Sequence, residues 1–275
     1  MESLAMGKKL LTSVLVGLLV ASAITQTVLA QNCGCAPNLC CSQHGYCGQG
    51  NDYCGTGCKE GPCFSKSPTG ASVASIVSPQ FFNGIINKAR ADCAGKKFYT
   101  RQAFLTALDF FPNFGKLGSD VESKREIAAF FAHATHETEF FCYKEEQDKS
   151  NSYCEANPKF PCAPGKSYHG RGPLQLTGNT NYGNAGNALK LDLLKNPEMV
   201  ANNPVVSFKG SLWYWMTAVR PVIGQGFGAT IKAINGRLEC GVPAAQDKVQ
   251  RRIRFYTNYC KQLGVDPEPA PKLSC

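Results

Sequence analysis

The sequence predicts a mainly α protein: an α-rich, two-lobed domain with a long cleft, preceded by a small disulfide-rich module. Three observations carry that expectation. Eight of the 15 cysteines (Cys33, Cys35, Cys40, Cys41, Cys47, Cys54, Cys58 and Cys63) crowd into residues 33–63, where Leu39 is almost the only aliphatic side chain. Such a segment must fold around cross-links, because it has no apolar core to bury. Past residue 79 apolar side chains recur at helical period behind capping residues. Between residues 144 and 187 Gly, Asn, Pro, Ser and Lys dominate, and a long irregular stretch inside a compact domain is more often functional than idle. The whole chain of 275 residues is 43% hydrophobic and 18% charged, which excludes a disordered, collagen-like or low-complexity protein.

The amino terminus reads as an export signal. Lys8 and Lys9 form a basic leader, Leu10 to Val20 an apolar core, and Val28-Leu29-Ala30 a cleavage site. The apolar core is short and interrupted by Thr12, Ser13 and Gly17, which argues against a membrane anchor, and no later segment is apolar enough to span a bilayer. Cleavage after Ala30 leaves 27 Lys+Arg against 19 Asp+Glu, a net charge of +8. No Lys/Arg run is interleaved with aromatics, so no nucleic-acid partner is expected, whereas a basic surface suits an anionic cell wall. Export also suits the thiols, which at this density are paired in an oxidising compartment; with 15 of them, one stays free.

Residues 31–63 form the first module. Zinc competes as an explanation for clustered cysteines, but paired C-x2-C knuckles are missing and Cys40 and Cys41 are adjacent, which suits divergent disulfides. Residues 64–78, rich in Ser with Pro68 and Gly70, read as a flexible linker, and the second domain covers 79–275. Ser78-Pro79 opens a helix carrying Phe82, Ile85, Ile86 and Ala89; Thr100 opens another with Ala103, Phe104, Ala107, Leu108 and Phe111, ended by Pro112. Asn203-Pro204 starts a helix with Phe208, Leu212 and Trp215, and a last one carries Val249, Ile253, Tyr256, Cys260 and Leu263 and stops at Gly264.

The candidate chemistry lies between these helices. A helix from about Glu122 to Thr138 places Ile127, Phe130, Phe131 and Ala134 on one face, with Glu137 at the edge of the apolar stripe. A carboxyl group in that partly desolvated position is a candidate general acid. Glu145 and Glu146 follow, and a continuous helix would put Glu137 and Glu146 on opposite faces, so the helix must break. Phe140-Phe141-Cys142-Tyr143 is β-prone and can turn the chain there. One carboxyl group giving a proton and one taking a proton across a cleft are the minimum equipment for hydrolysing a glycosidic bond. His133 and His136 invite a metal reading, but His133-Ala-Thr-His136-Glu137 is neither H-E-x-x-H nor H-x-x-E-H, so no metal and no cofactor is expected. A Cys/His nucleophile is equally poor where thiols are locked in disulfides.

Five motifs then carry a resemblance: CSQHGYCG at 41–48, FYTRQAFLTAL at 98–108, AHATHET at 132–138, YCEANPKFPCAPGKSYHGRGPLQLTGNTNYG at 153–183 and INGRLECG at 234–241. From Gln31 to Cys275 the chain resembles the plant class IV chitinases, in which a shortened hevein-like chitin-binding domain and a linker precede a lysozyme-like glycoside hydrolase family 19 domain. The resemblance implies Glu137 as general acid and Glu146 as general base in an inverting reaction, with Thr177 standing where the family commonly has a Ser that helps hold the water. It further implies sugar contacts at Tyr168, Gln175, Asn181 and Asn235, and a supporting network of His136, Glu239 and Arg252 around the acid.

The same resemblance implies disulfides Cys33–Cys41, Cys35–Cys47, Cys40–Cys54, Cys58–Cys63, Cys93–Cys142, Cys154–Cys162 and Cys240–Cys275, leaving Cys260 as a buried, inert thiol. In the small module Ser42, Tyr46 and Tyr53 match the hydroxyl and aromatic positions that meet sugar rings. His44 departs from the family, which has a large aromatic there, so a weaker platform is expected. The implied protein is a secreted, monomeric endochitinase of the apoplast acting on chitin and N-acetylglucosamine oligomers in antifungal defence, free of membrane contact once the signal is removed. Its rival is a chitin- or wall-binding lectin that has lost catalysis, against which the intact Glu137, Glu146 and Thr177 hydroxyl argue.

Overall fold

The computed structural model describes residues 33–36, 39–54, 57–61, 63 and 72–275. The expected export signal (1–30) and residues 64–71 of the expected linker lie outside them. The chain divides into two compact units, residues 1–68 and 69–275.

The first unit is built on sulfur. Strands β1 (Cys40–Cys41) and β2 (Cys47–Gly48) pair antiparallel, with Cys40 opposite Gly48 and Cys41 opposite Cys47, and a helical turn follows at Asn51–Cys54. Cys40, Cys54 and Cys58 are its buried core. Disulfides Cys33–Cys41, Cys35–Cys47, Cys40–Cys54 and Cys58–Cys63 close it, the pairing that the resemblance implied. Closing a loop of 14 residues removes about 3 kcal/mol of chain entropy from the unfolded state, which is stabilisation that this composition cannot draw from apolar burial.

The second unit is helical and begins earlier than expected. Ser72 caps a short helix at Val73–Ile76, and Ile76 and Val77 are buried in the main core, so the linker expected over 64–78 stops before its last residues. Arg101 pins this entry by donating to the carbonyls of Val77 and Ala74, each at 2.6 Å. Seven longer helices follow: α1 (Pro79–Ile86), α2 (Arg101–Leu108), α3 (Asp120–Thr138), α4 (Asn179–Leu189), α5 (Pro204–Tyr214), α6 (Phe227–Glu239) and α7 (Gln246–Gln262). Ser78, Thr100, Ser119 and Asn203 cap α1, α2, α3 and α5 with side-chain oxygens, as their chemistry dictates. Helix α2 ends at Leu108, short of the expected Pro112, because the proline disfavours helical backbone at Phe111 and the chain tightens into turns.

Helix α3 is the axis of the fold. It packs most extensively on α7, and α2 on α5. Phe131 sits edge-on to Phe81, Phe104 and Phe130 at 5.1–5.5 Å, so rotating α3 would break several aromatic contacts at once. Glu126, buried on the same helix, takes hydrogen bonds from Gly115 N–H, Trp215 Nε1 and Arg220 Nε. A second core of Tyr168, Leu176, Tyr182, Ala185, Leu189, Leu193, Val200 and Val206 gathers around α4.

Helix α3 breaks where the sequence required it, but not by a strand. Glu139, Phe140 and Phe141 all take left-handed backbone (φ 51°, 64° and 64°), a conformation that costs L-residues roughly 1–2 kcal/mol each. The reversal is offset by neighbours: Thr138 Oγ1 accepts from Phe141 N–H at 2.8 Å, Phe141 is fully buried against Phe82, and Cys142 is bridged to Cys93. Gly95 N–H donates to the Cys142 carbonyl at 2.8 Å, and a Cβ at Gly95 would lie 2.1 Å from the Phe141 carbonyl oxygen.

Two of the seven longer helices were not foreseen. The stretch expected to be irregular to residue 187 contains α4 from Asn179, whose Gly183 and Gly186 read as loop residues but serve close packing against Phe160 and the Leu191 carbonyl. Helix α6 escaped the periodicity because Gly228 and Gly236 interrupt it; a Cβ at Gly228 would lie 2.0 Å from the Ser274 carbonyl oxygen. Disulfides Cys93–Cys142, Cys154–Cys162 and Cys240–Cys275 and the buried free Cys260 match the pairing implied by resemblance. Among the described residues no helix is long and apolar enough to cross a membrane.

Candidate active site

A cleft of about 500 Å³ brings together two sets of residues. Glu137, Tyr214, Ile234, Asn235 and Leu238 come from helices α3, α5 and α6, and Tyr143, Glu145, Glu146, Tyr153, Gly170, Gln175 and Thr177 come from the loops before α4, joined by Asn181 on α4 itself.

On the helical side Glu137 stands in the last turn of α3 against Arg252 of α7. Arg252 is fully buried and uses its whole fork. Its Nη2 donates to Glu137 Oε1 and, at 2.8 Å, to Glu239 Oε1; its Nε donates to Glu239 Oε2 at 2.8 Å; its Nη1 donates to His133 Nδ1 at 3.1 Å. Asn235, whose non-helical backbone kinks α6, donates Nδ2–H to Glu239 Oε1 at 2.8 Å. Burial alone would raise the Glu239 carboxyl, but the Arg252 hydrogen bonds and charge outweigh it and hold it below its ordinary value. His136 sits behind Glu137 with Nδ1 buried and unbonded; desolvation, then the Arg252 charge, pushes its imidazole down to about 3. The ring therefore stays neutral and adds no second cation beside the acid.

On the loop side the backbone does the positioning. Arg171 bridges Glu145 on one side and Leu176 on the other, with Glu146 N–H donating to the Gly170 carbonyl at 2.8 Å and Gly172 N–H to the Lys144 carbonyl at 2.9 Å. Glu146 is held by neutral donors: Tyr153 hydroxyl at 2.7 Å to Oε1 and Gly170 N–H at 3.2 Å to Oε2. That hydrogen bond, more than its partial burial, raises the Tyr153 phenol, which remains a donor. A Cβ at Gly170 would meet Gln175 Oε1 at 2.8 Å and Thr177 Oγ1 at 3.2 Å, so its bare backbone is what admits both side chains. Thr177 donates its hydroxyl proton to the Gln175 carbonyl at 2.7 Å, and Asn181 Nδ2 donates to the Thr177 carbonyl at 2.9 Å.

Glu145 is the contrast to its neighbour. It is ion-paired with Lys149 and with Arg171 Nε at 3.5 Å, and hydrogen-bonded to His169 Nε2 at 3.0 Å. Burial would raise its carboxyl, but the Lys149 and His169 hydrogen bonds outweigh that and lower it. Of the two adjacent glutamates, Glu146 is the one whose charge is not already neutralised.

Two expected contacts are corrected. Tyr168 is fully buried in the second core, its hydroxyl accepting from Ala163 N–H at 2.8 Å and donating to the Leu194 carbonyl at 2.9 Å, so it holds the loop and does not face the cleft. Ser42 is buried too, its Oγ accepting from Tyr46 N–H at 3.2 Å; it shapes the turn, while Tyr46 (59% exposed) and His44 stand out in solvent and the half-buried Tyr53 ring covers Gly48. The sequence reading missed Tyr153, Tyr143, Tyr214 and Leu238 as lining residues, and His169 and Arg171 behind them. Of these, only Leu238, an apolar residue next to Glu239 in a polar motif, left a signal that could have been read. Among the described residues no His/Cys/Asp/Glu cluster has the form of a metal site.

The family model described as chitinase class I matches residues 76–225 and 222–275, and the model described as chitin recognition protein matches residues 28–63. The chain belongs to the glycoside hydrolase family 19 chitinases and carries an amino-terminal chitin-recognition module. It is similar to Endochitinase EP3 of Arabidopsis thaliana, with 59% identity over 253 residues covering 91% of this chain and 92% of the relative. Among solved structures it is similar to a family 19, class IV chitinase from Zea mays (51% identity, TM-score 0.70, 74% of this chain and 98% of the other). Chitinase C from Streptomyces griseus is similar at 37% identity and a TM-score of 0.65, covering 75% and 83%.

Proposed function

We propose that this protein is a secreted, monomeric endochitinase that hydrolyses β-1,4 links between N-acetylglucosamine units with inversion, in which Glu137 is the proton donor and Glu146 the base. The observation that supports it most is that two glutamates from opposite sides line one cleft, Glu137 in the last turn of α3 with its direction fixed by Arg252, and Glu146 on the loops accepting only from neutral donors. Because Thr177 gives its own proton to Gln175, its lone pairs are left to accept from a water; Glu146 accepts from the same water. With both its hydrogens taken, that water presents a lone pair to the anomeric carbon. As its oxygen bonds to that carbon, the carbon–oxygen bond to the leaving sugar breaks, Glu137 protonates the departing oxygen and Glu146 takes the water proton.

Gln175, Asn181 and Asn235 are the polar contacts of this reading, with Arg252 holding the acid and Glu239 holding Arg252. The module at 33–63 adds affinity for chitin through Tyr46, Tyr53 and His44, and export to the apoplast for antifungal defence completes the proposal. NMR of the first product formed from a chitin oligomer tests the mechanism: an α anomer is expected, and a β anomer would overturn the single-displacement assignment. A chain that binds chitin but releases no reducing ends would belong with the lectin alternative.

A further inference from the structure

Behind the cleft a run of hydrogen bonds has its direction fixed at both ends. The Phe227 carbonyl can only accept, so the Thr230 hydroxyl, 2.6 Å away, gives its one proton there. Thr230 Oγ1 is then left to accept, and His133 Nε2, at 2.8 Å, must be the protonated ring nitrogen. At the far end Arg252 can only donate, so His133 Nδ1, 3.1 Å from Nη1, must be bare. Both ends demand the same neutral tautomer. Burial, then the charge of Arg252, holds the imidazole well below its ordinary range, in keeping with that assignment. The ring cannot swing: it stacks on Phe227 (4.9 Å, 17°), which stacks on Tyr256 (4.1 Å, 2°), so three rings join α3, α6 and α7.

We infer that His133 and Thr230 are positioning residues for proton transfer, their relay fixing the Arg252 guanidinium and, through it, the direction in which Glu137 presents its carboxyl group. Glu239 grips two corners of the guanidinium fork, Nε and Nη2; Nη1 is the third corner, and His133 is what holds it. Neither His133 nor Thr230 is among the residues lining the cleft, so neither touches substrate. The inference rests on the reading of Glu137 as the proton donor.

Thr230→Val keeps the shape of the side chain and removes the middle oxygen of the relay. It is expected to lower kcat on a chitin hexamer about 10-fold with KM changed less than about twofold, because small misplacement of a reacting group is costly while remote sugar contacts are untouched. Thr230→Ser, which keeps the hydroxyl, restores kcat. His133→Gln, whose amide can accept with its oxygen and donate with its nitrogen, is expected to retain several-fold more kcat than His133→Leu, and this pair serves if Thr230→Val fails to fold. Unchanged kcat in Thr230→Val, or equal losses in the Val and Ser variants, overturns the relay. Glu137→Gln separates this from the reading beneath it. If that variant turns over normally, the donor assignment falls; if it is inactive while Thr230→Val is unimpaired, only the relay falls.

Discussion

On the helical side of the cleft Glu137 is gripped by a buried arginine enclosed by three helices, whereas on the loop side Glu146 rests on a phenol and a backbone amide carried by paired loops. A buried guanidinium fixes a carboxylate in direction and, by demanding partners of its own, ties α3, α6 and α7 into one unit. Neutral donors hold an anion in place without supplying a countercharge, so its pull on a nearby water proton is preserved. The difference teaches that the same side chain can be fixed in direction in two ways, by a buried cation tied to three helices or by neutral donors carried on loops.

The largest effect that this contrast predicts is on turnover. Glu137→Gln should lower kcat by about 10³-fold, within the range general acid catalysis contributes, while affinity for a chitin trimer, read by calorimetry, stays within a few-fold. Next comes Arg252→Met, which leaves the buried Glu239 and the partly buried Glu137 without their cation; it should cost about 3–5 kcal/mol in urea unfolding, far above the about 1 kcal/mol expected for Arg251→Met, whose pair with Glu139 is half exposed. On the loop side Tyr153→Phe removes one neutral donor from Glu146 and should cost about tenfold in kcat/KM with little change in melting temperature. If it costs stability as Arg252→Met does, the two sides are not built differently.

The smallest expected effect is a slope with pH. His136 is depressed from 6.5 to about 3 in the folded chain, so between those values the unfolded chain binds more protons. Its share of stability is complete above pH 6.5 and is lost as the pH falls toward about 3. The lowered Glu239 carboxyl works in the same sense, its stabilisation present above the ordinary carboxylate value and lost as the pH falls through its depressed one. Melting temperature should therefore decline on acidification, and His136→Gln should flatten the upper part of that decline.

Local chemistry was the legible part of the fold. Ser78, Thr100 and Asn203 announce their helices because a cap is decided within four residues, and the break after Glu137 followed from helical geometry once both glutamates had to face one substrate. What escaped reading depends on distant backbone. Gly228 looks like a helix breaker until the Ser274 carbonyl is seen against it, and Gly183 and Gly186 look like loop until Phe160 and Leu191 close on them. The same holds at the site. Glu137 and Glu146 are only suggested by spacing and are picked out by the resemblance of the motifs around them, whereas Tyr168 reads as a sugar contact because a motif cannot distinguish a side chain facing a cleft from one facing a second core. Tyr153 and Arg171 act through loop pairing, which leaves no periodic trace.

Gly95 is not among the residues lining the cleft, yet the chain reversal after the proton donor leans on it through the Phe141 and Cys142 carbonyls. A random screen for inactive variants should therefore return substitutions at this glycine beside those at the carboxylates. Anyone transplanting the cleft onto another scaffold must carry the short turn of residues 93–98 along with α3, or the donor will be delivered to the wrong address.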